Sequence, residues 1–214
     1  MVTISLSVFF FFLYFIGIGF LLPNKLIRPD NCFNDLINSF WSGLSISIAS
    51  LQIWHFFWPI TSVTWAILLG VSLTGWVLNF KLVLKWLNTF TLRRILTVLV
   101  IMGVALLVLS NQAIWGEYHF DHGLYHMQTV KWIQNYAIVP GLGNLHYRLA
   151  FNNSSMLYAA LLNTTIFHGM AFYIANTLLV FAVLMRCCNS LFRLVENRNK
   201  LNLVDLFYVL LGPF

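Results

Sequence analysis

Long stretches without a single charged residue are the feature that most constrains this chain. A helix needs about 20 apolar residues to cross the hydrocarbon layer of a membrane. Only 8% of the 214 residues are charged, against about 25% in soluble domains. This excludes a soluble enzyme, a disordered chain and a nucleic-acid-binding domain, so we predict an all-α, polytopic transmembrane helix bundle. The uncharged stretches are residues 2–22, 36–58, 60–80, 95–110 and 156–185.

The fifth apolar stretch is too long for one span, and a sixth apolar stretch near the C-terminal end of the sequence is too short for one. Residues 156–185 are more than one span requires, and His168 and Gly169 interrupt them. Either a short surface helix precedes this span, or the span is tilted. A sixth stretch begins near Leu203, but residues 203–214 make only about 18 Å of helix, against about 30 Å of hydrocarbon. We therefore expect about five complete spans and a truncated sixth, in one membrane domain (1–214) that is the N-terminal fragment of a larger protein.

The distribution of Lys and Arg predicts the orientation of these spans. Ten of the twelve basic residues follow the first, third and fifth spans, in segments that the positive-inside rule assigns to the cytoplasm. Lys131 and Arg148 lie instead in the segment 111–155, which we expect on the outer face. The ten are Lys25, Arg28, Lys81, Lys85, Arg93, Arg94, Arg186, Arg193, Arg198 and Lys200.

The outer segment 111–155 differs in composition from the spans. It holds four of the six His and two of the six acidic residues. Structureless connections of this length are uncommon, and its Trp, Tyr, Leu and Ile content argues against disorder. We predict amphipathic surface helices here: one from Asp121, a favoured N-cap, to about Tyr136, then a turn at 140–143 and a second short helix over 144–149.

One face of the first predicted helix collects residue types that suit a sugar. Aromatic rings stack on pyranose rings, amides bind hydroxyl groups, and a carboxylate can act as general base on an acceptor hydroxyl. Lys131 and Arg148 add positive charge, and a guanidinium pairs with a phosphate through two hydrogen bonds. The combination indicates a lipid-phosphate-linked sugar donor. The residues of this face are Asp121, Tyr125, Gln128, Trp132 and Asn135.

Each of these residues also has a purely structural interpretation. Asp121 could serve only as the N-cap, and Glu117 is either the competing acid or a solvated loop charge. Tyr125 and Trp132 could anchor the helix in the membrane interface. The two basic residues could contact lipid headgroups.

Three histidines raise the alternative of a metal site. His119, His122 and His126 are spaced so that a helix would bring their imidazoles close together. With Asp121 or Glu117 they could hold a divalent ion such as Mg²⁺ or Mn²⁺. The sequence lacks the H-E-x-x-H and Cys patterns of specific sites, so it assigns no cofactor with certainty and leaves the divalent metal as an alternative.

A family resemblance lies within residues 118–155, which include D-H-G-L-Y-H-M-Q-T-V-K-W-I and then I-V-P-G-L-G-N-L-H-Y-R-L-A-F-N-N-S-S. This resembles the signature of a group of bacterial multi-spanning membrane proteins, which are similar in layout to GT-C glycosyltransferases. The resemblance implies an inner-membrane enzyme with 111–155 in the periplasm, a polyprenyl-phosphate-linked or polyprenyl-pyrophosphate-linked donor, and a surface glycan or lipid acceptor. It implies Asp121 as the catalytic acid. The substrate-binding residues that it implies are Tyr125, His126, Gln128, Lys131, Asn144, His146, Arg148 and Asn152.

Three functions follow as hypotheses. The first is a glycosyltransferase in which Asp121 deprotonates an acceptor hydroxyl while Arg148 and Lys131, with a metal in the alternative above, stabilise the departing lipid phosphate. The second is an O-antigen-type polymerase or ligase, which would also use an outer loop with Arg and His but needs no metal. The third is a transporter or structural membrane protein. Transporters place charges and broken helices at mid-membrane, whereas these spans are nearly free of charge, which favours surface chemistry.

Overall fold

The computed structural model describes residues 1–22, 32–89, 92–115, 122–150, 153–196 and 203–211. Within these ranges the regular structure is helical and no strand occurs, which confirms the all-α prediction. The longer helices are α1 (Val2–Gly19), α2 (Cys32–His55), α3 (Ser62–Leu78), α4 (Phe80–Thr89), α5 (Leu92–Trp115), α6 (Met127–Asn135), α7 (Ser154–Asn163), α8 (Ala171–Glu196) and α9 (Leu203–Leu211).

Four of the described helices are long and apolar enough to cross a membrane, fewer than the five complete spans that we expected. The third expected span, 60–80, is the shorter helix α3, whose 17 residues extend about 26 Å. This helix stops at Asn79, whose side-chain amide donates hydrogen bonds to the carbonyls of Phe20 and Gly75, both at 3.0 Å. The four candidate spans are Val2–Gly19, Phe33–His55, Ile95–Trp115 and Ala171–Val195.

The fifth uncharged stretch forms two helices, α7 and α8, instead of one. Gly169 lies between them with a φ of 83°, in the left-handed region that glycine adopts without steric cost. Asn163 holds the turn, because its side-chain oxygen accepts a hydrogen bond from the Gly169 N–H at 2.8 Å. The carbonyl of Asn163 also lies 2.9 Å from His168 Nδ1. The two residues that interrupt the stretch, His168 and Gly169, are therefore part of this turn.

The first alternative, a short helix before the span, is confirmed by α7, although this helix is buried in the protein and not on its surface. Residues 157–162 are all buried, because α7 packs against α2, α6 and α8. The Tyr158 hydroxyl donates a hydrogen bond to the carbonyl of Ala175 at 3.2 Å, and burial raises the pKa of Tyr158.

Helix α8 extends past the expected end of the fifth span. Arg186 and Arg193 therefore lie within this helix, and not in the loop where we expected them. Arg193 Nε is 3.4 Å from Asp205 Oδ2 on α9, and the Ser190 hydroxyl is 3.0 Å from Asp205 Oδ1. The guanidinium carbon of Arg186 lies 4.7 Å from the ring centroid of Tyr208. These polar contacts attach α9 to the C-terminal end of α8.

Helix α1 is the centre of the described bundle, since it contacts α2, α3, α5 and α8. In the membrane-spanning part of α1, 61% of the residues are buried inside the protein, whereas only 6% are buried in the spanning part of α5. Glycines set its approach to α2 and α3. A Cβ on Gly43 would lie 1.9 Å from the carbonyl oxygen of Phe15, and a Cβ on Gly75 would lie 1.8 Å from that of Gly17. Small residues let membrane helices approach this closely, so these glycines define how α1 packs.

The outer segment is joined to the α2–α3 turn by two backbone hydrogen bonds. The Ile60 N–H donates to the carbonyl of Ile133, and the Ile138 N–H donates to that of His55, both at 3.0 Å. The Gln134 amide donates to the carbonyl of Ala160 on α7 at 3.2 Å. The described part of 111–155 therefore packs against the same end of the bundle as this turn.

Candidate functional site

The helix expected from Asp121 to Tyr136 is present over the described residues. It begins with a π-helical turn, His122–His126, continues as α6, and ends where Tyr136 takes an extended backbone. Gly141, with a φ of 81°, forms the turn expected at 140–143.

The second short helix expected over 144–149 is replaced by two 3₁₀ turns, Leu142–Asn144 and Tyr147–Ala150. Within the second turn, the backbone N–H of Arg148 donates to His146 Nδ1 at 3.3 Å. That N–H is therefore paired with a side chain and not with a helical carbonyl, so the segment forms two short 3₁₀ turns instead of the one continuous short helix that we expected.

The expected polar face of the first helix is divided in the structure. Of its described members, Tyr125 and Trp132 are half-buried, whereas Gln128 and Asn135 are exposed. Lys131, which we did not place on this face, is exposed as well. A π-helical turn closes i→i+5 hydrogen bonds, so the α-helical spacing that we assumed does not hold at the start of this helix. The two aromatic members therefore contact the protein, while the amides and the lysine face away from it.

The two halves of the quoted motif meet in a cluster that we call the Tyr125–Arg148 cluster: Tyr125, His126, His146, Tyr147 and Arg148. The guanidinium carbon of Arg148 lies 4.8 Å from the ring centroid of Tyr125, within the range of a cation–π contact. Arg148 Nε also donates to the Tyr147 hydroxyl at 3.0 Å. The His126 ring centroid is 4.3 Å from that of Tyr125, and His146 stacks on Tyr147 at 5.2 Å.

A cleft of about 540 Å³ borders this cluster. Its walls come from the C-terminal end of α2, from α6, from residues 137–143 and from the start of α7. None of the five cluster residues is part of its lining. The cleft and the cluster are linked through Leu149, the residue after Arg148, and through Thr129, whose hydroxyl donates to the Tyr125 carbonyl at 2.8 Å. The described lining residues are mostly apolar and none is charged. The polar side chains among them are Gln52, His55, Thr129 and Asn153.

Sequence reasoning missed the part of this cleft that α2 contributes. His55 is the last residue of α2, lines the cleft and is only 8% exposed. Gln52 lies one turn earlier. The available signal was a His near the end of an uncharged stretch, because polar residues in apolar spans mark candidate functional sites.

Several predicted site residues lie outside the described residues: Glu117, His119, Asp121 and Asn152. The backbone of His122 is described but its side chain is not. Asn144 is exposed at the end of its 3₁₀ turn. No group of three or more His, Cys, Asp or Glu side chains that could hold a metal ion occurs within the described ranges. The catalytic and metal-binding assignments therefore stay predictions.

Comparison with known proteins relates the chain to one protein family. No curated protein and no solved structure matches the chain. One family model, described as a domain of unknown function (DUF8201), matches residues 1–214 and so covers both the helical bundle and the outer segment. The chain belongs to the DUF8201 family.

Proposed function

We propose that the protein is a membrane glycosyltransferase of the GT-C type. It transfers a sugar from a polyprenyl-phosphate-linked donor to a glycan or lipid acceptor, at the periplasmic face of a bacterial inner membrane. The observation that carries this proposal is the contact between Tyr125 and Arg148. It joins the two halves of the motif on which the resemblance to these enzymes rests, although 22 residues separate them.

The surroundings of this contact support a substrate with both a charged and an apolar part. A guanidinium binds phosphate oxygens through paired hydrogen bonds, and an aromatic ring beside it offers a face to a sugar. The uncharged cleft next to the cluster offers apolar walls. A sugar attached through phosphate to a lipid has all three of these chemical features.

The transfer assigns one role to each kind of side chain. Asp121, with Glu117 as the competing acid, takes the proton from the acceptor hydroxyl. The acceptor oxygen then bonds to the anomeric carbon of the sugar as the bond from that carbon to the phosphate oxygen breaks. The phosphate leaves with that electron pair as the lipid phosphate, and Arg148 stabilises its charge.

Replacing Arg148 tests this role directly. In cells that lack the full-length gene, complementation with the Arg148→Ala variant should lower the amount of the affected surface glycan about 100-fold, the usual effect of removing one charge-stabilising donor. The Arg148→Lys variant should recover only part of it, because Lys keeps the charge but not the planar fork. Glycan composition, normalised to the amount of protein in the membrane, measures the effect.

The matched control is Lys85→Ala, at an exposed lysine of α4, which should leave the glycan unchanged. Full restoration of the glycan by Arg148→Ala, at equal membrane levels, would remove Arg148 from the site. A glycan that is unchanged even in the deletion strain, provided that the strain makes one, would instead favour a transporter or structural protein.

An O-antigen-type polymerase or ligase is the second candidate, because the Arg148 N–H contact with His146 joins the two residue types expected in its outer loop. The lipid-linked intermediates of the deletion strain separate the two candidates. A missing glycosyltransferase leaves lipid-linked glycans that lack one sugar. A missing polymerase or ligase leaves complete repeat units that accumulate on the lipid.

A further inference from the structure

Helix α4 is an amphipathic helix that the proposed transfer does not use. Lys81 and Lys85 are both exposed, and the apolar Phe80 and Leu84 are 58% and 43% exposed. Residues four positions apart are neighbours on the surface of a helix. The two lysines therefore form a basic stripe, and Phe80 and Leu84 form an apolar stripe beside it. Adjacent basic and apolar stripes are typical of a helix that lies on a membrane surface.

The remaining face of α4 packs against the protein. Leu82 and Val83 are partly buried against the hydrophobic core, and α4 contacts mainly α3, the helix before it. The apolar stripe lies on a different side of the helix and stays uncovered by the described part of the chain. Acyl chains of a membrane would remove this apolar surface from water, which is favourable.

The neighbouring helices place α4 at the end of the bundle opposite the outer segment. Helix α3 begins at the α2–α3 turn, which contacts the outer segment, and it ends beside Asn79, whose amide donates to the Phe20 carbonyl at the C-terminal end of α1. Helix α5 runs back, because the hydroxyl oxygens of Ser110 near its end and Ser5 near the start of α1 are 2.8 Å apart. Helix α4 thus connects two apolar helices that run in opposite directions, which is the position of a membrane boundary.

The charge of this region favours anionic lipids. No Asp or Glu occurs between Asp35 and Glu117, so neither lysine has an acidic neighbour in the sequence. Two further basic residues, Arg93 and Arg94, occupy the first turn of α5. Clustered basic residues next to a membrane span attract anionic headgroups. A lysine can also lay its apolar stem along the boundary while its ammonium group stays among the phosphates.

We propose that α4 is a docking surface for anionic phospholipids, on the side of the membrane opposite the outer segment. Lys81 and Lys85 contact the headgroup phosphates, and Phe80 and Leu84 enter the boundary of the acyl chains. This inference goes beyond the proposed function and does not depend on it. The proposed transfer takes place at the other end of the bundle, so Lys85→Ala remains the control in the glycan assay.

Photolabelling of the full-length protein, in vesicles of equal parts phosphatidylglycerol and phosphatidylcholine, tests this surface. Two trace probes carry the same diazirine acyl chain, one on each headgroup, and mass spectrometry quantifies the labelled peptides of α4. Each lysine near a membrane surface favours anionic lipid about fivefold. We therefore expect the phosphatidylglycerol probe to label α4 at least about 25-fold more than the phosphatidylcholine probe.

Two double variants separate the charge from the shape of the side chains. Lys81→Gln combined with Lys85→Gln should lower labelling by the phosphatidylglycerol probe about 25-fold and leave labelling by the phosphatidylcholine probe unchanged. Lys81→Arg combined with Lys85→Arg keeps both charges and should label like the wild type. The matched control is Lys131→Gln, at an exposed lysine of the outer segment, which should leave the labelling of α4 unchanged.

Equal phosphatidylglycerol labelling of the wild type and the double glutamine variant, at equal amounts of protein in the vesicles, would overturn the proposal. Labelling of wild-type α4 by the phosphatidylcholine probe as strongly as by the phosphatidylglycerol probe would do the same, because it would show contact with lipid without selection for charge. If neither probe labels α4, its exposed stripes belong to a protein partner or to a second copy of the chain, and the proposal is wrong.

Discussion

The Asp121→Asn variant of the full-length protein should be inactive in glycan assembly while it reaches the membrane in normal amounts. Asparagine has nearly the same shape as aspartate but cannot take a proton from an acceptor hydroxyl at neutral pH. A positioned general base contributes about 10²–10⁴-fold to a rate, so the glycan should fall below detection. Glycan composition of complemented deletion cells, with the variant quantified in isolated membranes, measures this.

The control for Asp121 is the competing acid of the same segment. Glu117→Gln removes one negative charge four residues earlier, so it corrects for a general effect of charge on the outer segment. We expect it to restore the glycan. The reverse pattern, with Glu117→Gln inactive and Asp121→Asn active, would reassign the base, and activity in both variants would reject a carboxylate base from this segment.

The Gly43→Ala variant should be severely destabilised, because its methyl group would lie 1.9 Å from the backbone oxygen of Phe15. Backbone on the central helix cannot move aside as a flexible side chain can. Overpacking of this kind costs about 1–3 kcal/mol, occasionally more, and in a chain of this size each kcal/mol lowers the melting temperature by about 2–4 °C. Because the clash is with backbone, we expect a cost at the upper end of this range, about 3 kcal/mol, which lowers the temperature of half-maximal aggregation in detergent by about 6–12 °C.

Gly103→Ala on α5 is the matched control for this prediction. A Cβ there meets no heavy atom within 4 Å, and alanine has the higher helix propensity. This variant should melt at the wild-type temperature or slightly above it. Equal melting of the two variants would show that the close approach of α1 and α2 does not limit stability.

Features set by local sequence could be predicted, and features set by distant contacts could not. The apolar stretches, the helix that ends at Tyr136 and the turn at Gly141 all depend on residues close together in the chain. The Tyr125–Arg148 contact was predicted only in part. The motif indicated that its two halves share a site, but it did not indicate which side chains are in contact. The residues around His55 in the sequence are apolar, as they are in any other span. His55 becomes part of a cleft only through contact with residues about 80 positions later in the chain.

The division of 156–185 illustrates an intermediate case. His168 and Gly169 signalled an interruption, which the sequence could place. Whether the preceding helix lies on the surface or is buried depends on partners for all of its faces, and these come from α2, α6 and α8. Hydropathy does not distinguish an apolar helix that faces lipid from one that is packed inside the protein, so the burial of α7 could not be predicted from the sequence.

The hydrogen bond from the Ile138 N–H to the His55 carbonyl has a consequence for biosynthesis. The ribosome makes about 5–20 residues per second, so the 83 residues from 56 to 138 take about 4–17 s to synthesise. During that interval the C-terminal end of α2 already exists, but the residues of the outer segment that later pack against it have not yet been synthesised. The cleft is therefore a late product of translation, and any factor that shields polar ends of nascent spans would act on this end of α2 before the outer segment arrives.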